Sequence, residues 1–160
     1  MKANGNLSML APMKVEENLV IAIHEQLPDD WEPSMRFVSG GDLFVVKSNK
    51  KHEIKMATPL SGNVVSDQHE LAAYYNPIEE LLYVTRVKEK NNRVLKDLSG
   101  HPQLEVACYS KKGNTYQFSH LFQYNSNQHS IGFVTINPND NKLYFSSNNP
   151  NGKGGFDINV

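Results

Sequence analysis

The chain has 160 residues, the size of one ordinary domain, with 16 lysines and arginines against 17 aspartates and glutamates and a formal charge of −1 at pH 7. That balance supplies no field to gather nucleic acid or an anionic surface, and the only tight basic cluster is Lys50, Lys51 and His52. The single cysteine, Cys108, excludes an internal disulfide and, with no second thiol, argues against a structural zinc site; it reads as a small apolar strand residue.

Residues 1–17 show neither periodicity nor turn chemistry and are read as an N-terminal arm or tag remnant, with order or disorder left open. Met1 to Pro12 lacks the apolar block of a secretory signal, and the longest apolar run, Leu19 to Ile23, is too short to cross a bilayer, so neither a signal peptide nor a membrane span is expected. "NLVIAIHEQL" from Asn18 and "SMRFV" from Ser34 are candidate strands, although residues 16–27 also fit a short helix. "DLFVVKSNKK" from Asp42 and "HEIKMATPLSG" from His52 read as two strands joined at a Lys-Lys turn.

From Ser66 the pattern restarts. "SDQHELAAYYNPIEELLYVTR" and, sixty residues on, "SNQHSIGFVTINPNDNKLYFSS" share Ser, Gln and His at matching positions, a short apolar run, Asn-Pro, a polar turn and Leu-Tyr followed by β-formers. Each run mixes aromatic and branched residues and is too short for a helix, so each reads as a strand. Pro77 and Pro138 preset the backbone for the corner of a hairpin turn, where the preceding asparagines bond their own backbone. "QLEVACYSKKG" from Gln103 and "TYQFSHLFQYNS" from Thr115 continue the second copy after a long connection, "KEKNNRVLKDLSGHP".

Four short antiparallel strands per copy describe a β-propeller-type blade, whose apolar faces are covered only by neighbouring blades. The expected fold is all-β: a partial propeller of two to three such blades over residues 18–160, with blades at about 18–62, 63–124 and 125–160. Closure stays open between a piece of a longer propeller, a ring of several copies and a small sandwich.

"NDNKLYFSSNNPNGKGGFDINV" resembles the WD40-like, TolB-type propeller repeat, and with the preceding copy it is similar to the propellers of OmpA-family peptidoglycan-associated envelope proteins. The resemblance covers residues 42–160 and is most specific at the Gly-Gly-Phe-Asp ending. It implies a periplasmic or outer-membrane-associated setting, while the missing signal peptide keeps a cytoplasmic one open. Asn141 stands where the repeat usually has a turn glycine, and Asn159 where it usually has tyrosine.

Gly154 and Gly155 allow positive φ, and Asp157 is placed to accept amide hydrogens of that turn; the alternative is a cation loop, for which the segment is short of carboxylates. His69 with Glu70, and the repeat-equivalent His129, are candidate ligand-binding groups, as are Asn148 and Asn149 at a loop tip. The two Ser-x-Gln-His signatures order their own loops in one reading and face a common channel in the other; no metal or other cofactor is expected. No nucleophile elbow, Walker loop, dinucleotide fingerprint or HExxH helix occurs, so no catalytic residues are assigned. The expected role is a non-enzymatic binding or scaffolding module of a bacterial envelope assembly, with protein partners, further blades or a homo-oligomer completing it. An oligomeric lectin-like or peptidoglycan-fragment-binding protein is the alternative, and an accessory propeller domain of a hydrolase the third.

Overall fold

A computed structural model describes residues 7–15, 18–25, 42–48, 54–64, 69–98 and 100–160. Among them there is no helix, and every named strand pairs antiparallel with its neighbours. The first sheet runs β1 (Leu7–Val15), β2 (Asn18–Glu25), β3 (Asp42–Ser48) and β4 (Ile54–Pro59) in sequence order. The second runs β5 (Glu70–Asn76), β6 (Leu81–Val87), β9 (Leu104–Lys112) and β10 (Thr115–Leu121), interrupted by a small hairpin of β7 (Glu89–Lys90) and β8 (Arg93–Val94). The third runs β11 (Ile131–Asn137), β12 (Lys142–Ser147) and β13 (Asp157–Asn159). Among the described residues no sheet closes on itself.

One expectation about the first sheet is corrected: residues 7–15 of the expected arm form its first strand, so "NLVIAIHEQL" supplies the second strand rather than the first. Residues 18–25 are a strand, as first read, and not the alternative helix. "SMRFV" lies outside the described residues.

The second sheet is apolar on both faces, because Leu82 and Val84 alternate with Tyr83 along β6, and Ala107 and Tyr109 alternate with Val106 and Cys108 along β9. One face joins Val15, Val20, Ala22 and Leu43 of the first sheet in a single core. The opposite face meets Ile131, Val134 and Phe145 of the third. The three meanders therefore stack in chain order, with β5 against β1, β2 and β3, and β11 against β5, β6 and β9. At about 25 cal/mol per Å² of apolar surface removed from water, each such face is worth far more than its turns or surface ion pairs.

The repeated turns have the chemistry read from the sequence. Asn76 Oδ1 accepts the Ile78 amide at 3.0 Å and Asn137 Oδ1 accepts the Asn139 amide at 3.1 Å, so both hairpins start from the same side-chain turn. The last turn residue is left-handed in both, Glu80 at φ 51° and Asn141 at φ 52°. Asparagine tolerates that conformation better than most side chains, and Asn141 adopts it without a glycine. Glu79, in the same exposed turn, accepts Asn76 Nδ2 and the Tyr83 hydroxyl, each at 2.9 Å.

Candidate functional site

At one end of the stack three loops meet: the long connection after β6, the segment between β10 and β11, and the Gly-rich loop before β13. They enclose an open cleft of about 560 Å³. Asp97, His129, Asn148, Gly154 and Phe156 are among its lining residues.

Asp97, 8% exposed, ties the loops together. Its Oδ2 accepts Asn148 Nδ2 at 2.6 Å and the Ser130 hydroxyl at 3.4 Å, while Oδ1 accepts the His101 amide at 3.1 Å. Asn148 is fixed from both ends, because its Oδ1 accepts the Ser130 amide at 2.6 Å. The long connection thus anchors the third sheet through a buried carboxylate whose charge is met by convergent donors.

The second Ser-x-Gln-His signature forms a tight turn on Ser126. Its hydroxyl accepts the amides of Gln128 at 3.0 Å and His129 at 3.3 Å, and lies 3.0 Å from His129 Nδ1. A hydroxyl has two acceptor positions and one hydrogen, so with both positions filled it donates to Nδ1, and the neutral imidazole carries its hydrogen on Nε2. Gln103, 1% exposed, holds the same turn from below, with Nε2 donating to the carbonyls of Ser126 at 2.8 Å and His129 at 3.0 Å. Lys88 Nζ donates to the Ser126 carbonyl at 2.8 Å and to Asn127 Oδ1 at 2.9 Å. Asn125, one of the loop-tip asparagines, turns inward: its amide group accepts from Val106 N at 2.9 Å and donates to Val106 O at 2.7 Å.

In the Gly-rich loop, Asp157 Oδ2 accepts the Lys153 amide at 2.8 Å, and Gly154 and Gly155 have φ of +110° and +66°. Asn149 belongs to the same construction: its Oδ1 accepts the Asn151 amide at 3.0 Å and its amide donates to the Ser147 hydroxyl at 3.1 Å. The structure brings His129, Asn148, Asn149, Gly154 and Gly155 to one cleft. His69 and Glu70 are not among the lining residues; Glu70 is fully buried at the start of β5, and Pro77 and Pro138 sit in exposed turns. Ser66 to Gln68 of the first signature lie outside the described residues. Among the described residues no three His, Cys, Asp or Glu side chains gather as a metal site would need, and no helix is long and apolar enough to cross a membrane. Sequence reasoning missed Asp97, His101 and Phe156 as site residues; the Asp-Leu-Ser-Gly run was the one local hint of a side-chain-bonded turn.

A second polar cluster lies between the first and second sheets. Register places Glu70, Arg86 and Glu105 side by side on three adjacent strands. Arg86 donates from Nε and Nη2 to Glu105 Oε1 at 3.0 and 2.9 Å, and from Nη1 to the Tyr109 hydroxyl at 3.3 Å. Burial pushes the Tyr109 hydroxyl above its ordinary pKa, an effect that Arg86 opposes. This is a charge ladder inside a sheet-to-sheet contact rather than an open site. Comparison with protein-family models, with curated proteins and with solved structures finds no match to this chain.

Proposed function

We propose that this chain is a non-enzymatic binding and scaffolding module of propeller type, which assembles by laying further sheets against its own. The observation that carries the reading is the two-sided burial of the second sheet between two sheets of the same plan. A sheet that is apolar on both faces has no stable use alone, and the stacking order gives each sheet its neighbour's face as cover. On the side of the third sheet away from Phe145, Ile158, paired with Ser146, is 82% exposed. Among the described residues the sheet's edge strand β13 pairs with β12 alone. The envelope setting, periplasmic or outer-membrane-associated, is supported by the resemblance of the repeat and its Gly-Gly-Phe-Asp ending.

Sedimentation velocity over a wide concentration range tests the assembly. The expected result is concentration-dependent association of the wild-type chain that Ile158→Lys abolishes without changing the circular dichroism spectrum. A wild-type chain that stays monomeric throughout, or associates equally well as Ile158→Lys, removes this reading.

A further inference from the structure

The cleft presents two kinds of surface to one space. Phe156, 51% exposed, lines it together with Pro150 and Leu98. The same lining holds polar groups whose positions are already set by the protein: His129, with its hydrogen directed to Nε2 by Ser126, and Asn148, held by Asp97 and Ser130. Each keeps hydrogen-bonding capacity beyond those bonds, an Nε2–H on His129 and a second Nδ2 hydrogen on Asn148. The volume, about 560 Å³, falls among small-ligand clefts, which span roughly 300–1,000 Å³.

We propose that this cleft binds a neutral saccharide, with the C–H face of a sugar ring against Phe156 and its hydroxyls bonded to His129, Asn148 and the loop amides. Hydroxyl groups both donate and accept, which suits a lining of amide, imidazole and backbone groups. An exposed aromatic face beside them matches the alternating apolar and polar surfaces of a sugar ring. The charges argue against an ion. The lining carries both a positive and a negative group, Lys153 and Asp97, and the Asp97 carboxylate already receives hydrogen bonds from Asn148, Ser130 and His101, so neither an anion nor a cation meets a strong unbalanced field. An extended peptide would instead find its backbone partners along a sheet edge rather than in this loop-walled cleft. The inference rests on the reading of the chain as a binding module and adds the class of ligand.

The full chain, labelled for amide chemical-shift measurement, is titrated with trimers of glucose, galactose, mannose and N-acetylglucosamine, and with glucuronate oligomers and a tripeptide as charged and peptide probes. The expected result is saturable shifts at Leu98, Gln128 and residues 152–156 with at least one neutral trimer. Phe156→Ala should weaken that binding about tenfold or more, the equivalent of about 1.4 kcal/mol; Phe156→Tyr should restore it, and Lys153→Gln should leave it unchanged. Phe156 is an exposed loop residue, so these variants keep the fold. No saturable shift with any neutral trimer up to about 50 mM, shifts elsewhere on the molecule, preference for the charged or peptide probes, or equal binding by Phe156→Ala would each overturn the proposal. A failed titration leaves sheet-on-sheet assembly untouched, because that is read from Ile158→Lys.

Discussion

Replacing Gly132 by alanine puts a methyl group where the third sheet leans on the second. An added Cβ would lie 2.8 Å from Thr85 Cγ2, against the roughly 3.5–4.0 Å at which carbon atoms rest. The backbone at Gly132 is outside the left-handed region, so alanine meets no torsional penalty and the whole effect is packing. Thr85 cannot swing away cheaply: it is 2% exposed, and its hydroxyl accepts the Phe133 amide at 2.8 Å. A β-branched side chain has few rotamers to retreat to. Overpacking of this kind costs about 1–3 kcal/mol, or a Tm lowered by about 2–4 °C for each kcal/mol in a chain of this size. Thr85→Ser removes the offending methyl but keeps the oxygen that Phe133 needs, at a cost of about 1 kcal/mol by itself. The double variant should therefore be little worse than Thr85→Ser alone, a coupling of about 1–2 kcal/mol. Urea unfolding followed by far-ultraviolet circular dichroism measures all four chains. Gly132→Ala within about 0.5 kcal/mol of wild type, or strictly additive effects, would refute the close approach of β11 to β6 and with it the stacking that the proposed assembly extends.

Asp97→Ala strands the Asn148 amide group, the Ser130 hydroxyl and the His101 amide, and should cost about 2–4 kcal/mol while speeding hydrogen exchange at His101; an unchanged urea midpoint would show the carboxylate to be dispensable. Glu80→Gly should stabilise by about 0.5–1 kcal/mol and Asn141→Gly by much less, because both positions are left-handed but asparagine already tolerates that region; equal gains in thermal unfolding would contradict this. Burial, with a smaller contribution from Glu79, pushes the Cys108 thiol from an ordinary 9.0 up to about 12, so at pH 8 its thiolate population and iodoacetamide reactivity should be about 1,000-fold below those of the unfolded chain. A folded-state pKa raised above the unfolded value contributes stability that is complete below about pH 9 and lost as pH rises toward 12, so Cys108→Ala should flatten the alkaline decline of the urea midpoint; an unaltered decline would assign it to other groups.

What could be read from the chain and what could not divide along the reach of the interactions. The hairpins were legible because Asn-Pro turns act within a few residues: the Asn76 and Asn137 side chains bond amides two positions on. The both-sided apolar character of β6 and β9 was legible because a nearly unbroken apolar run is itself a sequence property. The first strand was not. Leu7–Val15 contains Pro12, which removes a backbone donor, and its register breaks between Leu10 and Met13. It is a strand because its far end packs into a core built largely from other sheets, where Met13 and Val15 join Leu82 and Tyr109.

The cleft follows the same rule. Asp97 meets Ser130 and Asn148, 33 and 51 residues away, so no window of sequence shows that this aspartate, rather than the two repeat-equivalent histidines, organises the loop end. The repeat even misdirects, since equal spacing suggests equal roles. Yet Glu70 follows the first signature and is buried as one rung of a charge ladder, while Ser130 follows the second and donates its amide hydrogen to Asn148, the third sheet's anchor. Two copies of one plan diverge because their neighbours differ: the second sheet is enclosed on both faces, whereas the third has one face covered and loops free to shape a cleft. Position in the stack, more than the shared motif, decides which copy carries a site.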